Sequence, residues 1–138
     1  METHKLPDGL VISCIDFRFH DKLREILKKE KVASFDLICL AGGAKNLASP
    51  LKIQHKETVI DNIGLAVKLH KVQYILLCNH IDCGAYLSAE ASAQAGGGSV
   101  KFKNLKEEIK FHKTELENAK NTVKELFPAL KIKTIILK

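Results

Sequence analysis

The sequence predicts an α/β fold: a single domain over residues 1–138, with an open, mostly parallel β-sheet of about four strands flanked by helices. Short apolar runs rich in β-branched residues alternate along the chain with longer amphipathic segments. Such alternation is typical of parallel β-α-β units, which build doubly wound sheets. The chain has the length of one domain, and no linker or internal repeat divides it.

Four apolar runs are predicted as strands, the first two of them buried, and they cover residues 10–15, 35–40, 73–78 and 131–137. They have the length of strands, and Val and Ile are frequent in them. Gly42 and Gly43 follow the second run and end it. We expect this pair of glycines to let the backbone approach the functional site closely.

Three segments have the period of a helix, and they cover residues 20–30, 55–70 and 103–126. The longest carries a narrow stripe at spacings of four and three: Leu105, Ile109, His112, Leu116, Ala119, Val123 and Leu126. We favour docking of this stripe on the sheet, and pairing with a second subunit is the alternative. Residues 89–99 are small and Gly-rich, which predicts a loop or a frayed helix end.

The composition excludes several classes of function. With 46% hydrophobic and 28% charged residues, the chain is an ordinary globular protein. No apolar stretch approaches the roughly 20 residues that cross a bilayer, and the first residues lack an apolar export signal, so we expect a cytoplasmic protein without a membrane partner. The net charge is +6, but the lysines are interspersed with glutamates and not with aromatic residues. A solvated surface is therefore favoured over nucleic-acid binding.

The first motif with chemical content is Cys14-Ile-Asp16-Phe-Arg18, at the end of the first predicted strand. In an extended segment residues 14, 16 and 18 point to the same side, so a thiol, a carboxylate and a guanidinium would meet in one place. Arg18 can hold Asp16 through a bidentate, charge-assisted pair that keeps the carboxylate ionised.

The second motif is His80-Ile-Asp82-Cys83-Gly84, at the end of the third predicted strand. Ligands bind doubly wound sheets at the carboxyl ends of strands, where both motifs lie. His80 and Cys83 can reach one ion together, and a neutral imidazole with thiolates suits Zn²⁺. With Cys14 added, three protein ligands leave the fourth tetrahedral position open, which is the pattern of a catalytic zinc.

The other two cysteines, Cys39 and Cys78, are predicted to be buried in the core. Cys78 lies two positions before His80, and the alternative is that it closes a structural site of three cysteines and a histidine.

The quoted residues resemble the β-carbonic anhydrase family. Residues 10–18 look like its signature Cys-x-Asp-Ser-Arg, and residues 55–84 look like its helix, strand and His-x-x-Cys-Gly block. Residues 41–46 fall where the family has a loop of the type Arg-Asn-Ala-Gly-Asn. Phe17 replaces the serine of the signature and the loop arginine is absent, so the chain resembles a divergent, minimal-length member.

The resemblance implies that Cys14, His80 and Cys83 bind one Zn²⁺ per chain. Two further roles follow from it. Asp16 and Arg18 are the catalytic dyad beside the metal, and the backbone N–H of Gly84 helps to bind the substrate.

The implied enzyme is a carbonic anhydrase, a lyase that reversibly hydrates CO₂ to bicarbonate by zinc-bound hydroxide. Two alternatives stay open: a related zinc hydrolase that acts on carbonyl sulfide or carbon disulfide, and a catalytically inactive zinc-binding homologue in which Asp16 closes the site. Because members of the family associate, the resemblance also implies a homodimer or a higher homo-oligomer.

Overall fold

Four parallel strands form the sheet around which the chain folds. A computed structural model describes residues 5–87 and 100–138. The strands are β1 (Gly9–Ser13), β2 (Phe35–Cys39), β3 (Tyr74–His80) and β4 (Lys131–Leu137). Their order is β2-β1-β3-β4, and every neighbouring pair is parallel. The predicted α/β fold with a four-stranded parallel sheet is confirmed.

The helices connect the strands and agree with the predicted periodic segments. They are α1 (His20–Lys29), α2 (Lys45–Ala48), α3 (Ile53–His70), α4 (Gly84–Leu87) and α5 (Leu105–Leu126), with a 3₁₀ turn at Phe17–Phe19. The predicted bounds of α1, α3 and α5 are correct to within two residues. The short α2 and α4 and the 3₁₀ turn were not predicted, because a single turn is too short to show helical periodicity. The predicted loop at 89–99 lies outside the described residues.

Helices cover both faces of the sheet, and the alternation of side chains along the strands supplies both cores. One core joins the sheet to α2, α3 and α5, and the other joins it to α1. Leu10 and Ile12 lie in the first core, while Val11 between them lies in the second; all three are fully buried. Full burial of an aliphatic side chain of this size contributes about 1.5–3 kcal/mol.

The apolar stripe of α5 docks on the sheet, as predicted. His112, Leu116, Ala119 and Val123 are buried, whereas Leu105 and Leu126 at the two ends of the helix are about half exposed. The middle of the stripe is therefore occupied within the chain. No helix in residues 5–87 or 100–138 is both long enough and apolar enough to cross a membrane.

Cys39 corrects one prediction, because it is exposed and not part of the core. It lies on β2, an edge strand, and on the face that also exposes Phe35 and Leu37. The second core contains no side chain from β2, so this face of the strand is uncovered. Cys78 is fully buried, as predicted, and burial raises the pKa of its thiol to about 12.

The parallel pairing of β1 with β3 determines where the functional groups lie. Ile12 pairs with Leu77, so both strands end at the same edge of the sheet. The turn after β2 passes against these ends, where the N–H of Ala44 donates to the carbonyl oxygen of Cys78 at 3.3 Å. Gly43 has a φ of +54°, and a Cβ at this position would lie 2.5 Å from that same oxygen. The close approach expected of the two glycines is thus made at Gly43.

We expect Gly43→Ala to lower the free energy of unfolding by about 2–4 kcal/mol, because it combines a left-handed backbone with a steric overlap. Gly64→Ala is the matched control: a Cβ there lies 3.9 Å from the ring of Phe127, an ordinary contact, within helix α3. That variant should gain up to about 1 kcal/mol of helix propensity. Urea unfolding followed by circular dichroism measures both, and equal stabilities would contradict the packing described at Gly43.

Candidate metal centre

Three potential metal ligands meet where β1 and β3 end. Cys14 follows β1, His80 is the last residue of β3, and Cys83 lies in the turn before α4. Their ligand atoms all lie within 4.8 Å of one another, and all three residues are buried. The structure therefore brings together the three residues that the two sequence motifs predict as ligands. Cys78 is not part of this cluster, so the alternative of a structural site of three cysteines and a histidine is not formed among the described residues.

The hydrogen bonds of His80 prepare its ring for a metal. A carbonyl oxygen only accepts, so Nδ1 must carry the proton that it donates to the oxygen of Ile81 at 2.6 Å. Nε2 is buried and has no hydrogen-bond partner among the described residues. The ring of Phe19 stacks on the imidazole, with centroids 4.3 Å apart and planes inclined by 25°. Tautomer and ring plane are thus both fixed, which is how proteins orient a metal-binding histidine.

The two thiols are close enough to compete for one proton. The hydrogen bond from Cys83 holds the pKa of Cys14 well below its usual range, and the N–H of Gly42 also donates to the Cys14 sulfur at 3.3 Å. The same bond to Cys14, together with burial, raises the pKa of Cys83. A divalent cation could take the place of the shared proton, and two sulfurs with one imidazole nitrogen suit zinc. The residues present therefore fit a zinc ion.

Asp16 and Arg18 lie beside the cluster, although the local geometry differs from the predicted extended segment. The strand ends at Ser13, and Asp16 caps the 3₁₀ turn by accepting from the N–H of Arg18 at 3.0 Å. Nε and Nη2 of Arg18 then donate to the carboxylate at 3.1 and 2.7 Å. These bonds lower the pKa of Asp16 to about 2. Oδ2 of Asp16 is 3.7 Å from Nε2 of His80.

Phe17 and Gly84 are the two other residues that the resemblance concerns, and both are accessible to solvent. Phe17, which replaces the serine of the family signature, is 82% exposed and lies outside the cluster. Gly84 begins α4 with open space around the position of a Cβ, so its backbone is accessible.

The N–H of Gly42 donates to the sulfur of Cys14, which is the close approach expected of the glycine pair. Two residues that shape the site were not predicted: Phe19 stacks on His80, and Asp82 accepts a hydrogen bond from Arg18. Their partners come from other elements, and no spacing along the chain indicates such contacts.

Behind Cys83 lies a buried polar group of residues. Nδ2 of Asn79 contacts Oη of Tyr86 at 3.0 Å and Nδ1 of the fully buried His112 at 3.3 Å. The ammonium of buried Lys45 lies 5.4 Å from the centre of the Tyr86 ring. These contacts join α2, β3, α4 and α5 behind the cluster.

Comparison with known families decides the affiliation of this α/β chain with its cysteine–histidine cluster. A family model described as "Putative carbonic anhydrase" matches residues 5–137, nearly the whole chain. The chain belongs to this carbonic anhydrase family.

Relatives of this carbonic anhydrase family member occur in bacteria. It is 30% identical over 138 residues to an uncharacterised protein of Rickettsia bellii, across 99% of this chain and 80% of that protein. It is 31% identical over 87 residues to a carbonic anhydrase of Helicobacter pylori, across 62% of this chain and 36% of that enzyme.

Solved structures place the fold in the β class of carbonic anhydrases. A tetrameric β-carbonic anhydrase of Sordaria macrospora superposes with a TM-score of 0.63 at 15% identity, over 96% of this chain and 76% of that one. A carbon disulfide hydrolase superposes with a TM-score of 0.51 at 17% identity, over 95% of this chain and 74% of that one. These likenesses concern the fold, and the chain is a divergent member with a β-carbonic anhydrase architecture.

Proposed function

We propose that the chain is a zinc-dependent carbonic anhydrase of the β-class type, which reversibly hydrates CO₂ to bicarbonate. The observation that carries the proposal is the buried cluster of Cys14, His80 and Cys83 next to a carboxylate held ionised by Arg18. The three residues would hold one zinc ion per chain and leave the fourth position of the tetrahedron for the reaction. The whole chain, residues 1–138, acts as one catalytic domain in this proposal.

Zinc held by these residues would lower the pKa of a bound water to about 7 and so would supply the nucleophile at neutral pH. Asp16 would accept a hydrogen bond from this nucleophile and orient it toward the carbon of CO₂. Arg18 keeps the carboxylate ionised and aimed, because its Nε donates to Oδ1 and its Nη2 to Oδ2, and this bidentate pair favours the charged form. The N–H of Gly84 donates to an oxygen of the substrate, which is CO₂ or bicarbonate.

We further propose that the chain works in the cytoplasm as a homodimer or a higher homo-oligomer. Apolar side chains are exposed near the site: Phe17 is 82% exposed, Ile15 58% and Leu37 52%. Leu37 also lines a cavity of about 170 Å³ that contains Cys14. Association through these exposed side chains would remove their apolar surface from water.

A second candidate is a hydrolase of carbonyl sulfide or carbon disulfide on the same metal site. The structural likeness to a carbon disulfide hydrolase favours keeping it, and the shape of the substrate pocket would decide between the gases. Parallel assays of CO₂, carbonyl sulfide and carbon disulfide with one preparation distinguish the two enzymes.

The third hypothesis, an inactive zinc-binding homologue, requires full zinc occupancy without turnover of any of the three gases.

Removal of one proposed ligand should abolish zinc binding. We expect Cys83→Ser to weaken zinc affinity by more than about a hundredfold, because a ligand is lost outright and even supporting residues contribute ten- to a hundredfold. Cys39→Ser is the matched control, since this thiol is exposed and outside the cluster. Metal analysis and competition with a chelating dye measure the effect. Full zinc in Cys83→Ser would remove this residue from the ligand set.

The rate of CO₂ hydration should rise with pH across the neutral range and toward its alkaline side. Asp16, with a pKa of about 2, is fully ionised above about pH 4, so its titration causes no inflection in the neutral range. Thiolates donate more charge to a metal than imidazoles do, so the pKa of a water bound there would lie toward the alkaline side of neutral. Stopped-flow assays from pH 6 to 9 measure the profile, and a flat profile would contradict this mechanism.

Asp16→Asn should lower the hydration rate by about a hundredfold or more, since the amide is a weaker acceptor for the nucleophile. Asp21→Asn is the control: it removes a carboxylate that is also paired with an arginine, Arg24, on the exposed face of α1. Equal rates for Asp16→Asn and the wild type would exclude a catalytic role for Asp16.

Leu37→Lys should dissociate the oligomer, because it places a charge on the apolar face of the edge strand. Leu126→Lys is matched in exposure, at 50% against 52%, but lies at the end of α5. Analytical ultracentrifugation of both variants measures the assembly. Dissociation by Leu126→Lys alone would assign the contact to the stripe of α5 instead.

A further inference from the structure

The guanidinium of Arg18 is held along two of its edges. One edge, Nε and Nη2, binds the carboxylate of Asp16. The other edge binds Asp82: Nη1 donates to its carboxylate at 2.9 Å, and Nη2 donates to its backbone carbonyl at 3.0 Å. Four of the five N–H groups of the guanidinium are therefore used, and its plane cannot rotate without breaking bonds on both sides.

The turn that carries Asp82 is itself fixed. Asp82 has a φ of +53°, in the left-handed region that Asp adopts more readily than most residues. Its N–H donates to Oε1 of Glu108 on α5 at 2.5 Å. His80 and Cys83 flank this turn, so Glu108 holds the same segment that presents two of the proposed ligands.

Charge alone does not explain the arrangement. The side chains of Arg18 and Asp82 are 46% and 64% exposed, and an exposed ion pair with a single contact contributes little to stability. The two contacts of Asp82 instead restrict orientation, because one comes from a side chain and the other from a backbone that α5 holds in place. The direction of Asp16 then depends on how firmly Arg18 is held.

We infer that Asp82, supported by Glu108, is a positioning residue that fixes Arg18 and, through it, the direction of the Asp16 carboxylate. The contact with Arg18 stands on the geometry alone, and the consequence for CO₂ hydration rests on the proposed function. The carboxylate of Asp82 binds Arg18, and in this inference Asp82 contacts neither the metal nor the nucleophile, so it acts through Arg18.

The test uses the arginine side chains as their own reporters, since the sequence contains only Arg18 and Arg24. Nitrogen-15 NMR of the full chain should show slow rotation of the Arg18 guanidinium and faster rotation at Arg24, whose side chain is 71% exposed. Asp82→Gly keeps the left-handed turn and removes the carboxylate. It should accelerate the rotation at Arg18 by about tenfold and leave Arg24 unchanged. Asp21→Asn should accelerate the rotation at Arg24 and leave Arg18 unchanged.

Two conservative variants separate positioning from simple loss of structure. Asp82→Asn keeps an acceptor oxygen and should restore part of the slow rotation. Glu108→Gln keeps the acceptor for the N–H of Asp82 and should behave as wild type, whereas Glu108→Ala should mobilise Arg18. In hydration assays, Asp82→Gly should lower kcat about five- to tenfold with KM little changed, and Asp82→Asn should recover most of kcat.

The two hypotheses fail in different ways. Unchanged Arg18 dynamics in folded Asp82→Gly would overturn the inference, whatever the enzyme does. Altered dynamics with an unchanged kcat would overturn the positioning role while the contact stands. A wild-type protein that hydrates no CO₂ would refute the proposed function, and the NMR comparison would still decide whether Asp82 fixes Arg18.

Discussion

The parallel pairing of β1 with β3 is the constraint on which the site depends. Their shared register ends both strands at one edge of the sheet, so Cys14 and His80 meet although 65 residues separate them in the chain. The turn at Gly43 then passes directly against both strand ends, where a side chain would not fit. The cluster therefore lies against backbone segments that hydrogen bonds hold together, and this limits how far its side chains can move apart.

Next to this turn, Phe19 contacts two of the functional side chains, although it belongs neither to the ligand cluster nor to the dyad. The ring of Phe19 stacks on the imidazole of His80, and the Arg18 guanidinium lies 5.5 Å from the centre of the Phe19 ring. One phenyl ring thus contacts both the histidine of the cluster and the arginine of the dyad. The carboxylate, the guanidinium and the imidazole form a contiguous set, because only three residues, 14–16, separate the 3₁₀ turn from the end of β1.

Much of the fold and part of the site could be predicted from the sequence. Strands and long helices were found because their periodicities extend over many residues, and the proposed ligands were found because Cys-x-Asp-x-Arg and His-x-x-Cys are local patterns. Cys39 was misplaced because an apolar strand looks the same at the edge of a sheet as at its centre. The roles of Phe19, Asp82 and Glu108 could not be predicted, since each acts on a residue brought near only by the tertiary structure.

The division of the cluster between two parts of the chain has a consequence for how the protein matures. His80 and Cys83 lie on one short turn and can approach each other in an unfolded polypeptide, whereas Cys14 joins them only after β1 has paired with β3. A cation that requires all three donors would hence be captured late, and its binding energy would add to the stability of the assembled sheet. Occupancy would then report that the central strands have come together.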